Sequence, residues 1–118
     1  MLTATIDDGW GHGLDVIERV AEAAGVRVRR IGLLRTALEI LDECRKQEPD
    51  LLGLTVLQFD SDDTVDAIVR GLPARTLLVA GGAAYRYDPD FAARTGTRRV
   101  ARDGSGFLRF LLEYRREK

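Results

Sequence analysis

Three short segments carry residue types able to serve a ligand. The first is Asp7-Asp8-Gly9-Trp10-Gly11-His12-Gly13, with three glycines in five residues. Glycine at that density demands unusual backbone angles or close approach by another group. The second runs through Thr55-Val56-Leu57, and the third is Gly81-Gly82, followed by Ala83-Ala84-Tyr85-Arg86-Tyr87. None makes a phosphate loop, because neither Gly-x-x-x-x-Gly-Lys-Ser/Thr nor Gly-x-Gly-x-x-Gly occurs there. No nucleophile and base can be paired. The chain has one histidine, His12, and one cysteine, Cys44, so it holds no intramolecular disulfide, multi-cysteine zinc site or two-histidine metal site. Cys44 falls on an apolar helical stripe and reads as core. The acids Asp60, Asp62 and Asp63 around Ser61 read as the cap of a helix, without the spacing of a calcium loop.

These segments need a scaffold, and 118 residues suit one domain, expected to span 1–118. A net charge of −1 argues against bulk attraction to nucleic acid. No apolar run reaches the roughly 20 residues of a membrane helix. Acids follow the first apolar run at once, so the start does not read as a signal peptide and a cytoplasmic location is expected.

Along the chain, strand and helix patterns alternate. Leu2–Ile6 reads as a strand. Ile17, Val20, Ala21 and Ala24 mark one face of a helix over Gly13–Ala24, stopped by Gly25. Val26–Ile31 alternates apolar and basic residues like an edge strand, with Arg27, Arg29 and Arg30 guarding it. Leu34, Ala37, Leu38, Leu41 and Cys44 predict the face of a second helix, closed by Pro49. Leu51–Leu57 and Thr76–Ala80 read as strands buried on both faces. Between them lie a polar loop, Gln58–Asp63, and a helix bearing Val65, Ile68, Val69 and Leu72. Asp88–Arg94 predicts a short helix with Pro89 at its start, and Arg98–Arg102 a weak fifth strand. Phe107, Leu108, Leu111 and Leu112 lie on a last helix, with Tyr114–Lys118 as its solvated end. Arg94, Arg98, Arg99 and Arg102 read as a solvated basic cluster.

Five such units predict an α/β, flavodoxin-like three-layer fold with a five-stranded parallel sheet in the order 2-1-3-4-5. In that order ligands gather at the loops after strands one, three and four, which are the three segments above. A response-regulator receiver is disfavoured, since Thr55 and Arg102 stand where its aspartate and lysine belong. A flavodoxin proper is disfavoured too, since the first loop has no serine or threonine.

The whole chain resembles the cobalamin-binding domain of adenosylcobalamin mutases, methionine synthase and corrinoid proteins. The family pattern is Asp-x-His-x-x-Gly after the first strand, Ser-x-Leu at the third and Gly-Gly after the fourth. Asp8 to Gly13 aligns with the first without a gap and most resembles the mutase version, Asp-Gly-His-x-x-Gly. Thr55-Val56-Leu57 matches the second conservatively, and Gly81-Gly82 matches the third. The resemblance implies cobalamin as cofactor, with Asp8, Gly9, Trp10, Gly13, Thr55, Leu57, Gly81 and Gly82 around it. It also implies a catalytic partner subunit or domain, with no chemistry by this module alone.

One position departs. Where the family has the histidine that binds cobalt from below, this chain has Trp10, whose indole N–H is a donor without a lone pair for a metal. Asp8 then has no imidazole to orient. His12 lies two residues on, and placing it on cobalt would need a shift of several ångströms. Three outcomes stay open. The nucleotide tail enters a slot beside Thr55 and Gly81-Gly82; or the tail stays folded under cobalt with Trp10 as an aromatic wall; or Trp10 fills the slot, leaving a cofactor-free interaction domain.

Overall fold

Strand β1 (Leu2–Thr5) lies at the centre of a four-stranded parallel sheet. The computed structural model describes residues 1–58 and 60–117, with side chains described to Arg115. Chain order is β1, α1 (His12–Ala23), β2 (Arg29–Gly32), α2 (Ala37–Gln47), β3 (Leu51–Thr55) and α3 (Asp62–Gly71). It continues as β4 (Leu77–Gly81), α4 (Ala83–Tyr87), α5 (Phe91–Thr95) and α6 (Gly104–Glu117). The sheet order is β2-β1-β3-β4, so the flavodoxin-like parallel arrangement holds but the fifth strand does not form.

Residues 98–102 do run beside β4, yet they make a single bridge, Ala80 to Val100. Two backbone hydrogen bonds hold it: Ala80 N–H to Arg99 O at 3.0 Å and Ala101 N–H to Ala80 O at 2.9 Å. Ala101 alone in this segment is buried, while Arg98, Arg99 and Arg102 face solvent. A segment with one inward apolar residue gains too little burial to extend its ladder.

The two faces of the sheet differ in bulk. Leu2, Leu52, Leu54 and Leu78 point toward α2, α3 and α5, where they meet Ile40, Cys44, Val65, Ile68 and Phe91. Burying each large side chain there is worth about 1.5–3 kcal/mol, so this face supplies most of the core. Alternation puts Thr3, Thr5, Gly53, Thr55 and Gly81 on the opposite face, beneath α1 and α6. Toward the N-terminal ends of the strands that second face closes on Leu51, Val79, Ala21, Phe107 and Leu111. Toward the C-terminal ends its residues are too small to close it.

Several helices differ from the pattern read in the sequence. Helix α2 starts three residues after Leu34, which is exposed with φ 53°, and Leu38 is also exposed. Thr36 sets that start through a capping box. Its hydroxyl accepts the Glu39 N–H at 3.1 Å, and the Glu39 carboxylate accepts the Thr36 N–H at 3.1 Å. The buried stripe is therefore Ile40, Leu41 and Cys44. Burial pushes the Cys44 thiol up to about 11. Thr36→Ala should lower stability by about 1 kcal/mol, measured by urea denaturation.

Strand β2 is shorter than Val26–Ile31 because Val26 and Val28 pack under α6 rather than joining the ladder. Helix α4 was not foreseen: Gly82, with φ 112°, turns the chain straight from β4 into it. The helix expected to open at Pro89 begins at Phe91 instead, and Asp88 accepts the Asp90 N–H at 3.2 Å in the turn before it. Asp62 and Asp63 lie in the first turn of α3 after Ser61, which makes no side-chain cap. Phe59, in the loop read as Gln58–Asp63, lies outside the described residues, as does Lys118. Tyr114 is no solvated end, since its ring stacks on Phe110 at 6.1 Å against the core. Arg94 leaves the solvated basic cluster, bound to Asp62 and Asp88 at 2.7 Å each.

Candidate functional site

The unfilled end of the α1/α6 face is an open cleft of about 270 Å³. Its floor is Thr55 of β3 with Val79, Ala80 and Gly81 of β4. Gly13, Val16 and Ile17 of α1 form one wall, and Ala101–Gly104 with Phe107 the other. Arg86 of α4 closes one end. The interior is mainly apolar, and its size sits at the lower edge of small-molecule sites, about 300 Å³. It admits one arm of a large ligand rather than a macrocycle.

Three contacts explain why these residues leave a hollow. A Cβ on Gly13 would stand 3.3 Å from Thr55 Cγ2, so the N-terminus of α1 rests directly on β3. A Cβ on Gly81 would collide with the Ala101 carbonyl, and one on Gly82 with the Val56 carbonyl. The double glycine thus lets β4 pass close to both neighbours while adding no side chain to the cleft. Helix α1 is held in place by Glu18, which accepts from Thr3 Oγ1 at 2.7 Å and from Arg30 Nε at 2.9 Å. Burial alone would raise the Glu18 carboxyl, but hydrogen bonds from Arg30 and Thr3 outweigh it and hold it below the usual carboxylate range.

Thr55 is 5% exposed, and its Oγ1 has no hydrogen-bond partner. Its carbonyl is engaged, accepting from Thr5 Oγ1 at 2.9 Å. Arg35 Nε and Asp62 Oδ1 are also buried without partners among the described residues, but neither lines this cleft. A buried hydroxyl without a partner costs about 1–3 kcal/mol, so Thr55 is suited to a ligand that completes its hydrogen bonds.

The loop between β1 and α1 stands above this cleft and leaves it open. Trp10 is 82% exposed and does not fill the slot. Its ring lies nearly parallel to His12, at 8° and 6.4 Å between centroids. Asp8 is buried, and its Oδ1 accepts the Trp10 N–H at 2.8 Å, which fixes the loop that carries the indole. Gly9 is exposed beside Leu34, and Leu57 is partly exposed above β3. Of the residues selected from the sequence, Gly13, Thr55, Gly81 and Gly82 meet in the cleft. Asp8, Gly9, Trp10 and Leu57 do not line it.

Some residues of the site were missed in the sequence. Asp7, not Asp8, joins the first two loops. Its Oδ1 accepts the Leu57 N–H at 2.9 Å, while its Oδ2 accepts the Gln58 N–H at 2.8 Å and the Ser61 hydroxyl at 2.9 Å. Two adjacent aspartates gave no sign of which would turn each way. Val16 and Phe107 also line the cleft, where the sequence offered only helical stripes, and so does Arg86, whose Tyr85-Arg86-Tyr87 segment could be read as a ligand contact or as a surface loop. No cluster of His, Cys, Asp and Glu able to hold a metal occurs among the described residues. No helix among them is long and apolar enough to cross a membrane.

The fold has solved counterparts. A cobalamin-binding protein from Desulfitobacterium hafniense superposes with a TM-score of 0.82 at 18% identity, over 96% of this chain and 57% of that one. The monomethylamine corrinoid protein of Methanosarcina barkeri gives 0.78 at 17% identity, over 96% and 56%. The methanol:cobalamin methyltransferase complex of Methanosarcina barkeri gives 0.74 at 18% identity, over 96% and 45%. The chain therefore spans about half the length of these proteins. No curated protein matches it. The profile of the B12 binding domain matches residues 7–109, nearly the whole chain. The chain belongs to the B12-binding domain family.

Proposed function

We propose that residues 1–118 form one corrinoid-binding module that holds cobalamin without a histidine on the lower face of cobalt and serves a separate catalytic subunit or domain. The single observation that carries this reading is the open cleft itself: Gly13, Gly81 and Gly82 leave it empty, Thr55 offers it a buried, unpartnered hydroxyl, and Trp10 stays outside. That combination favours a detached nucleotide tail in the slot over a tail folded under cobalt. It also gives no support to a domain plugged by its own tryptophan.

In this reading the chain's residues do three things. The apolar walls at Val16, Ile17, Val79 and Phe107 take the aromatic base of the tail. Thr55 Oγ1 hydrogen-bonds its polar edge. Asp8 holds the loop so that Trp10, an exposed apolar plane, stands where the family has its metal-binding imidazole. Bound corrinoid would supply the cobalt–carbon chemistry used by the partner. The Asp8-Gly9-Trp10 order supports a mutase-type loop that has lost its ligand. The methyltransferase-linked proteins of like fold support a partner subunit of that general kind.

The test is a visible spectrum after incubation with hydroxocobalamin and desalting, followed by electron paramagnetic resonance of the Co(II) form. Retained colour, with no nitrogen coupling from a protein ligand, is expected. Trp10→His should introduce that coupling. Nitrogen coupling in the unmodified protein that disappears in His12→Ala would assign His12 as ligand instead. No retained colour would make this a cofactor-free interaction domain.

A further inference from the structure

Several arginines elsewhere on the surface are paired with carboxylates. Arg30 binds Asp15 and Glu18, Arg35 binds Glu39, Arg70 binds Asp66 and Arg75 binds Asp50. Around the open end of the cleft, arginines gather without carboxylate partners. Arg86 and Arg102 line the cleft, and Arg98, Arg99 and Arg109 line the groove that continues from it past Arg102. None of these five forms an ion pair among the described residues. Two carboxylates share the area. Asp103 already accepts the Gly106 N–H at 2.7 Å at the start of α6, and Glu113 lies farther along that helix. Arg86 is held in position by donating to the Arg102 carbonyl at 3.1 Å.

One helix N-terminus adds to the same sign. Helix α1 follows Gly11 without a side-chain cap, and Gly13 of its first turn lines the cleft. Its first-turn N–H groups and partial positive charge favour an anion, whereas Asp103 already occupies the start of α6. Thr55 Oγ1, buried and unpartnered, lies in the same cleft. The site therefore has an apolar interior and a cationic rim. A ligand matching both has an aromatic end joined to a phosphate.

Resting on the corrinoid reading above, we propose that Arg86, with Arg102, forms an anion seat that binds the phosphodiester of the nucleotide tail. Through it the module selects complete cobalamin over corrinoids that lack the nucleotide. Arg86 is exposed at the last turn of α4, so its replacement leaves the packing of the fold untouched. A guanidinium grips a phosphate through two parallel N–H donors, whereas an amide offers neither the charge nor the fork.

The experiment titrates wild type, Arg86→Gln, Arg86→Lys and Arg102→Gln with hydroxocobalamin and with dicyanocobinamide, read by absorbance and by retention on desalting. Expected for Arg86→Gln is roughly a tenfold weaker hold on cobalamin and no change toward cobinamide, with Arg86→Lys recovering part of the loss. Arg102→Gln should show a smaller loss of the same kind. Adenosine 5′-monophosphate at millimolar concentration should not displace cobalamin. The proposal is overturned if Arg86→Gln weakens both corrinoids equally or neither, or if the free nucleotide competes, which would make the rim a nucleotide site. If wild type retains neither corrinoid, the corrinoid reading itself fails with it.

Discussion

Val16→Trp is expected to reduce hydroxocobalamin affinity by roughly 30-fold or more, equivalent to about 2 kcal/mol or more of binding free energy. Val16 lies at the mouth of the cleft with 48% of its surface exposed, and a Cβ on Gly104 would stand only 3.3 Å from its Cγ1. An indole there has nowhere apolar to go except inward, across the space between α1 and α6. Because the position is half open, the fold should lose no more than about 0.5 kcal/mol. Val16→Ala, which widens the mouth, should bind like wild type. Equal affinities for all three proteins, measured by spectral titration, would show that no part of the corrinoid enters the cleft.

Asp7→Ala is the second large effect. Three hydrogen bonds to one carboxylate hold the β3–α3 loop against the β1–α1 loop. Charge-assisted bonds are worth about 1.5–3 kcal/mol each when buried, but the N–H groups of Leu57 and Gln58 regain water once the carboxylate is gone. The net loss should be about 2 kcal/mol in urea denaturation, with corrinoid binding weakened in parallel. Asp7→Asn keeps one acceptor and should lose about half as much. Asp8→Ala separates the two roles. It should release the Trp10 loop and leave the β3–α3 loop in place, because among the described residues Asp8 bonds within its own turn.

What the sequence disclosed follows from where burial is decisive. The runs Leu51–Leu57 and Thr76–Ala80 announced buried strands because both faces of those strands are covered, and their order around β1 followed from the β/α alternation. The edge was harder to read. Residues 98–102 have the β-like spacing of a strand but three arginines in five positions, and solvation of the charges prevailed over pairing. Helix α2 was read as starting too early, since Leu34 and Leu38 extend the stripe of Ala37, Leu41 and Cys44 that does pack inward, while the Thr36–Glu39 box, present in the sequence, dictates the true start. For the site, residue types at three strand ends drew attention to three loops, and four of the chosen residues converge in one cleft. Side-chain direction was not legible. Nothing in Asp7-Asp8 states which carboxylate crosses to the next loop, and nothing in Gly9-Trp10-Gly11 states that the indole turns outward.

The short bridge beside β4 has a consequence for kinetics. The wall formed by Ala101–Gly104 hangs from a segment tied by two backbone hydrogen bonds, whereas the opposite wall belongs to a helix braced by Glu18, Thr3 and Arg30. Of the two walls, the flank beside β4 is therefore the one expected to open locally, below the free energy of global unfolding. Guest entry that needs this flank to move is expected to reach a rate plateau at high cofactor concentration, with the amide hydrogens of Ala80 and Ala101, the two bonded across the bridge, exchanging at the same tempo.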